Sequence, residues 1–219
     1  MPRALIVWGG WDGHRPREMA KAVGKLLGAE GYDVVVTADY AALGAPDIGS
    51  MDLVVPLITH DEIEREIIML LTAAVRNGTG LGGPHSPSTS FRRSVEYHFL
   101  LGAQWVAHPG NIIDFRVDVT RSDDPVMRGI ESFEYRSEQY YLHYDPSIEV
   151  LATTTFTGKY EPAVAGVTMP VVYKRRFGAG RIFYSALGHS PEELMHPEGR
   201  TILRRGLLWA TRGNNEDIA

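Results

Sequence analysis

Residues 80–91 read Gly-Leu-Gly-Gly-Pro-His-Ser-Pro-Ser-Thr-Ser-Phe. A strand that breaks into a helix at such a corner is one way an α/β sheet exposes a catalytic side chain. Small residues let the backbone turn tightly there and let a substrate approach. The residue at the corner is His85, between Pro84 and Ser86, and the chain contains no Cys to act as a thiol nucleophile. An imidazole can give or take a proton near neutral pH, so the chemistry on offer is acid/base work. Two further His follow apolar runs: His14 closes Gly9-Gly10-Trp11-Asp12-Gly13-His14, and His189 lies in Gly188-His189-Ser190-Pro191-Glu192. Thr59 and His60 stand at the end of a third run. His85 with His189 is the expected base/acid pair, with His14 joining the same pocket. A divalent metal held by these His stays open, although no His-Glu-x-x-His pair supports it. Ser86 and Ser88 lack the Gly-x-Ser-x-Gly setting of a hydrolase nucleophile.

Residues 137–141, Ser-Glu-Gln-Tyr-Tyr, form a second dense run of hydrogen-bonding side chains. In an extended strand Glu138 and Tyr140 share one face, while Gln139 and Tyr141 share the other. Glu138 beside a phenol suits orienting an imidazole or acting as the base itself. Trp11, Asp12, Asn111, Gln139, Tyr140 and Tyr141 are flat or hydrogen-bonding side chains that suit a polar small-molecule pocket. His108 belongs to the turn His108-Pro109-Gly110-Asn111, and Arg92, beside Arg93, supplies a guanidinium for a carboxylate or carbonyl.

These groups need a scaffold. Residues 4–8, 33–37, 52–57 and 79–82 are apolar runs without alternation, as expected of parallel strands covered on both faces. Between them, Met19, Val23, Leu26 and Leu27, and then Ile63, Ile67, Leu70, Leu71 and Ala74, recur at helical spacing. Pro16 opens the first helix, and the Thr-x-x-Glu of Thr59 and Glu62 has capping-box spacing for the second. The second half turns to β-rich runs at 104–107, 113–120, 139–143 and 150–155. A hairpin follows over 171–187 around Gly178-Ala179-Gly180, and a last helix opens at Pro197. The expectation is one open, mainly parallel α/β sheet spanning residues 1–212, with a frayed polar tail at 213–219.

Composition narrows the rest. The chain has 219 residues, 22 Lys and Arg against 27 Asp and Glu, and a formal charge of −5. With no basic block, nucleic acid and anionic membranes are excluded as expected partners. No run approaches the ~20 apolar residues that cross a bilayer, and the cytoplasm is the expected compartment. Gly9-Gly10-Trp11 is not followed by the glycines of a dinucleotide fingerprint, so no nicotinamide is expected in this chain.

The segment 9–14, the corner at 82–91, residues 104–111, the run 138–143 and the terminal hairpin through His189 occur in an order that resembles the ThuA-like trehalose-utilisation family. That resemblance implies a flavodoxin-like, class I glutamine amidotransferase-like fold with helices on both faces and a C-terminal β-hairpin. In that superfamily a Cys commonly occupies the corner where this chain has His85. Gly188 to Glu192 resembles the amidotransferase His-Pro-Glu end with one residue inserted, so the scaffold is expected without thiol chemistry. The resemblance further implies carbohydrate catabolism beside a sugar dehydrogenase, on 3-keto-trehalose or related 3-keto-glucosides. The expected reaction is enolisation leading to cleavage or isomerisation. A non-catalytic ketosugar-binding partner, a metal-assisted hydrolase and self-association into a homo-oligomer remain alternatives.

Overall fold

The unalternating apolar runs become strands because each side of the sheet has its own cover. The computed structural model describes residues 1–214. Its first half alternates strands and helices: β1 (Arg3–Gly10), α1 (Pro16–Ala29), β2 (Asp33–Thr37), β3 (Leu53–Thr59), α2 (Arg65–Arg76), β4 (Gly80–Pro84) and α3 (Val95–Leu101). Ala4 and Ile6 of β1, with Leu53, Val55 and Leu57 of β3, pack on Met19, Val23 and Leu27 of α1. Their sequence neighbours Leu5, Val7, Val54 and Ile58 face the other way, onto Ile68, Leu71 and Val75 of α2. Each fully buried aliphatic side chain contributes about 1.5–3 kcal/mol relative to exposure, so both faces hold the strands in place.

The second half adds β5 (Ala103–Ala107), β6 (Ile112–Val119), β7 (Phe133–Glu138), β8 (Tyr141–Tyr144), β9 (Glu149–Thr155), β10 (Thr168–Phe177) and β11 (Gly180–Ser185), then α4 (Pro197–Ala210). One sheet of nine strands runs β2-β1-β3-β4-β11-β10-β9-β6-β7, and β5 pairs with β8 in a separate ribbon. Strands β2 to β11 are parallel, and β10, β9, β6 and β7 continue the sheet antiparallel. The parallel part has the doubly wound order 2-1-3-4-5, with β11 in fifth place. β10 and β11 form the expected hairpin, closed by Gly178 and Ala179, with Gly178 at φ +63. At Gly82 a Cβ would lie 2.5 Å from the carbonyl oxygen of Phe183, so the corner glycines serve strand packing as well as the turn.

Four local expectations are corrected. β2 is an outer strand paired only with β1, so Val35 and Val36 stay 39% and 42% exposed rather than covered on both faces. The capping box does not form: α2 begins at Arg65 after Glu64, and the Thr59 hydroxyl is taken up by His14 instead. The run 139–143 is not one strand, because β7 ends at Glu138 and β8 starts at Tyr141 in the other sheet. The tail is anchored at its start, where the Asn214 amide donates to the carbonyl of Leu208 and its own carbonyl accepts from Arg181. Residues 215–219 of that expected tail lie outside the described residues.

Candidate functional site

Parallel strands place their carboxyl ends along one edge of the sheet, and four of the polar segments start there. His14 follows β1 in a 3₁₀ turn, Asp12–His14; Thr59 ends β3; His85 follows β4; His189 lies beyond β11. Gly10 has to be glycine, since at φ +80 a Cβ would meet the Thr59 carbonyl oxygen at 2.0 Å. His85 sits at φ 53, ψ −72, a conformation that non-glycine residues rarely adopt and that is tolerated where surrounding structure imposes it. Two hydrogen bonds impose it: its N–H donates to the Ser185 carbonyl at 2.6 Å, and Tyr184 donates its hydroxyl to the His85 carbonyl at 3.1 Å.

Glu138, at the end of β7, completes the set from the antiparallel side. One ligand-type atom from each of His14, His85, Glu138 and His189 lies within 4.8 Å of the others. Glu138 Oε2 is 3.1 Å from His85 Nε2, 3.4 Å from His189 Nδ1 and 3.7 Å from His14 Nε2. The outer nitrogens fix the tautomers. His85 Nδ1 donates to the Ala186 carbonyl at 2.8 Å, which only accepts. His14 Nδ1 donates to the Thr59 hydroxyl at 2.8 Å, and that hydroxyl donates onward to Ser86. Both Nε2 atoms of the neutral rings therefore turn lone pairs toward a carboxylate oxygen. The Tyr140 hydroxyl donates to His85 Nε2 at 2.5 Å.

Burial decides the charge of His85 and His14, and contacts decide that of Glu138 and His189. It lowers His85 to about 4, with the Glu138 contact only partly opposing it, and it lowers His14 for the same reason. Burial alone would raise Glu138, but the imidazoles of His14, His189 and His85 around its carboxylate outweigh that and hold it far below the usual range. His189 loses to burial as well, yet contact with Glu138 and the charges of Glu138 and Glu193 raise its pKa above the ordinary value. Of the two inward lone pairs, that of His85 accepts the Tyr140 hydroxyl, while that of His14 Nε2 faces the carboxylate at 3.7 Å and is relieved by a cation or a proton between them. His189 can supply one proton, and the donor set of three imidazoles and a carboxylate also fits a divalent cation such as zinc.

The centre opens into a cleft of about 390 Å³. Trp11, His108, Asn111 and Tyr140 line it together with His14, Glu138 and His189. His85 is fully buried behind them and does not line the cleft, so its ring meets Glu138, Tyr140 and His189 rather than a molecule in the cleft. Asp12 stays exposed outside the lining. Gln139 turns away to donate to Thr154 at 2.7 Å, and Tyr141 packs on Phe156. Arg92 sits over the Trp105 ring at 4.7 Å rather than at the four-residue centre. Trp105, Thr89 and Ile112 line the cleft without having been singled out from the sequence.

Glu193 was also missed. It accepts the His189 N–H at 3.0 Å, and burial raises its pKa. Glu192, the glutamate of the expected His-Pro-Glu match, instead pairs with Arg15 at 2.6 Å on the surface. The carboxylate that reaches His189 is thus Glu193, one position beyond the Glu of that match.

The family model for trehalose utilisation, ThuA, matches residues 3–210. The chain belongs to the ThuA family. Among solved structures, a ThuA-like protein from Parabacteroides merdae ATCC 43184 superposes with a TM-score of 0.79 at 18% identity, covering 98% of this chain and 91% of that one. A ThuA-like protein from Bacteroides uniformis ATCC 8492 reaches 0.75 at 16% identity, covering 100% and 96%. A cytoplasmic protein from Salmonella typhimurium LT2 reaches 0.66 at 13% identity, covering 97% and 100%. Identities this low show a shared fold. No curated protein matches the chain. Among the described residues no helix of this ThuA-family chain is long and apolar enough to cross a membrane.

Proposed function

We propose that this ThuA-family protein is an enzyme of carbohydrate catabolism that acts on a 3-keto-glucoside, and that His14, His85, His189 and Glu138 hold a divalent cation. The observation that carries this reading is the convergence of three imidazoles on one carboxylate oxygen at the inner end of an aromatic cleft. A cation held there supplies Lewis-acid polarisation of a substrate carbonyl, which acidifies the neighbouring C–H.

The chain's own groups do the rest. His85 and Glu138 fix the floor, and Thr59 and the Ala186 carbonyl set the ring tautomers. The exposed Trp11 offers an apolar face to a sugar ring, Trp105 and Tyr140 line the wall beside it, and among the described residues Trp105 Nε1 and His108 Nδ1 are buried without a protein partner. His108 Nε2, 3.7 Å from Glu138 Oε1, lies on the cleft wall outside the four-residue set, where it can take the C2 proton. Departure of the glycosidic oxygen from C1 of the enolised sugar, taking the proton that His108 removed, leaves a 1,2-ene whose hydration completes cleavage; return of the proton to the opposite face of C2 instead gives the epimer.

Elemental analysis of the purified chain, paired with proton NMR of 3-keto-trehalose in deuterated water, tests this. One divalent ion per chain and chelator-sensitive loss of the C2 signal are expected, with trehalose itself unchanged. C2 exchange that persists without metal would move the chemistry to a proton-relay centre, with neutral His14 as base and protonated His189 as acid. Binding of the ketosugar with no exchange would make the chain a binding partner of a dehydrogenase instead.

A further inference from the structure

Beside the cleft lies a second cavity of about 390 Å³, lined by His60, Glu62, Arg92, Arg93 and Gln104. The two cavities share His60, and Trp105 joins them physically: its ring lies 5.3 Å from both His60 and His108, and the Arg92 guanidinium stands over it. The proposed catalytic cleft is therefore one lobe of a longer groove.

Arg92 is charged at any physiological pH. Among the described residues it has no carboxylate partner; its contacts are the Trp105 face and a hydrogen bond from the Gln104 amide to its backbone carbonyl. That second contact pins the backbone carrying the guanidinium. Arg93 faces Glu62 at 3.6 Å with both side chains largely exposed, a pair too loose and too wet to neutralise it firmly. His60 lines the same wall at φ +65, and the Arg92 charge adds to burial in keeping its ring neutral. Two adjacent guanidinium groups, one stacked on an indole and lacking an anion, stand out in a chain of net charge −5.

We infer that this second lobe is a subsite for an oxyanion carried by the far unit of the substrate, a carboxylate or a phosphate ester, so that the preferred glycoside is anionic rather than neutral. A planar guanidinium binds such groups through paired charge-assisted hydrogen bonds. The stacked indole holds it in place, and the far sugar ring then bridges the two lobes along Trp105. The inference rests on the proposed ketosugar function for the identity of the near unit, though not for the anion itself.

Calorimetry on the full chain tests it with three matched ligands: trehalose, trehalose 6-phosphate, and the disaccharide in which one glucose is replaced by glucuronate. At low salt at least one anionic ligand should bind about tenfold tighter than trehalose, in keeping with one charge-assisted contact at a solvated site. Arg92→Gln with Arg93→Gln should erase that preference while leaving trehalose binding unchanged, and 0.5 M salt should shrink it. Whichever anionic ligand shows the larger preference identifies carboxylate or phosphate as the group recognised. Equal affinity for all three, or a preference that survives in the double variant, overturns the subsite. The outcomes also separate the two proposals. C2 exchange of neutral 3-keto-trehalose without any anion preference refutes the subsite alone. An arginine-dependent anion preference without C2 exchange leaves the subsite standing and refutes the catalytic reading.

Discussion

Two buried polar clusters in this chain are built on opposite principles. On the antiparallel side Lys174 pairs with Asp124, with Glu149 at 3.7 Å and the ammonium 4.7 Å from the Trp209 ring centroid. The second oxygen of Asp124 accepts the Val126 N–H at 2.9 Å, so opposite charges meet and the carboxylate is satisfied within the protein. At the ends of the parallel strands, by contrast, three His converge on a single carboxylate oxygen, the lone pair of His14 Nε2 among them, and the residue at the bend has strained backbone. A polar cavity of about 470 Å³ adjoins Lys174, larger than the cleft beside the histidines. Neither burial of charge nor cavity size separates the two clusters. What separates them is that the carboxylate of one meets an ammonium and that of the other meets imidazoles, two of them neutral.

The two clusters should respond differently to the same kind of change. Glu138→Gln removes the charge on which the three His converge while keeping its shape. Turnover of a 3-keto-glucoside should fall by about 10²–10⁴-fold, and binding of a divalent ion should be lost with it. Stability should fall by less, because neutral His14 and His85 turn lone pairs toward this carboxylate and protonated His189 donates to it; a chemical-denaturation midpoint as far below wild type as that of Asp124→Ala would contradict this. Asp124→Ala should do the reverse. It leaves the Lys174 ammonium buried beside Trp209 without its main partner, which costs on the order of 3 kcal/mol of folding free energy. Turnover per folded molecule should stay at the wild-type value. An equal loss of turnover and stability in both variants would erase the distinction between the clusters.

How much of this was legible in the sequence follows the same division. The parallel half could be read because burial on both faces of β1 and β3 writes unbroken Val, Leu and Ile runs, and because the strands end in glycine, threonine or a polar turn. The loops after those strands necessarily share one edge of the sheet, so His14, His85 and His189 could be grouped without coordinates. Glu138 was found by composition, and its placement depended on a break the pattern hides: residues 137–140 are all buried, yet the chain leaves one sheet at Glu138 and enters another at Tyr141. Gln139 and Tyr141 were accordingly assigned to a ligand and belong to packing. Trp105 was invisible as a site residue, since an indole in a short β-rich run reads as core. Its neighbours His60, His108 and Arg92 come from three separate segments that only folding brings together. Glu193 was masked by Glu192, which fits the family spacing but lies on the surface.

The smallest expected effect is also the one that distinguishes a cation from a proton at the centre. His85 is lowered to about 4 from an ordinary value of 6.5, and His14 is lowered as well. Between those limits the folded chain binds fewer protons at these positions than the unfolded chain does. Their contribution is therefore present above about pH 6.5 and is lost as pH falls toward 4. Glu138, also lowered, acts in the same direction at still lower pH. His189 acts oppositely: its raised pKa contributes stability that is complete below 6.5 and is lost as pH rises through the folded value. Two depressed imidazoles against one raised give a net loss of stability on acidification without metal. A divalent ion adds to stability only through deprotonated ligands, so its binding must displace the His189 proton and weakens as acidity rises. The rise in melting temperature produced by saturating zinc or manganese should thus be smaller at pH 5.5 than at pH 7.5. A difference of about 1 kcal/mol would appear as roughly 2–4 °C in a chain of this size. Equal shifts at both pH values would mean that the ion binds elsewhere; no shift at either would leave His189 and its proton as the species that holds the centre together.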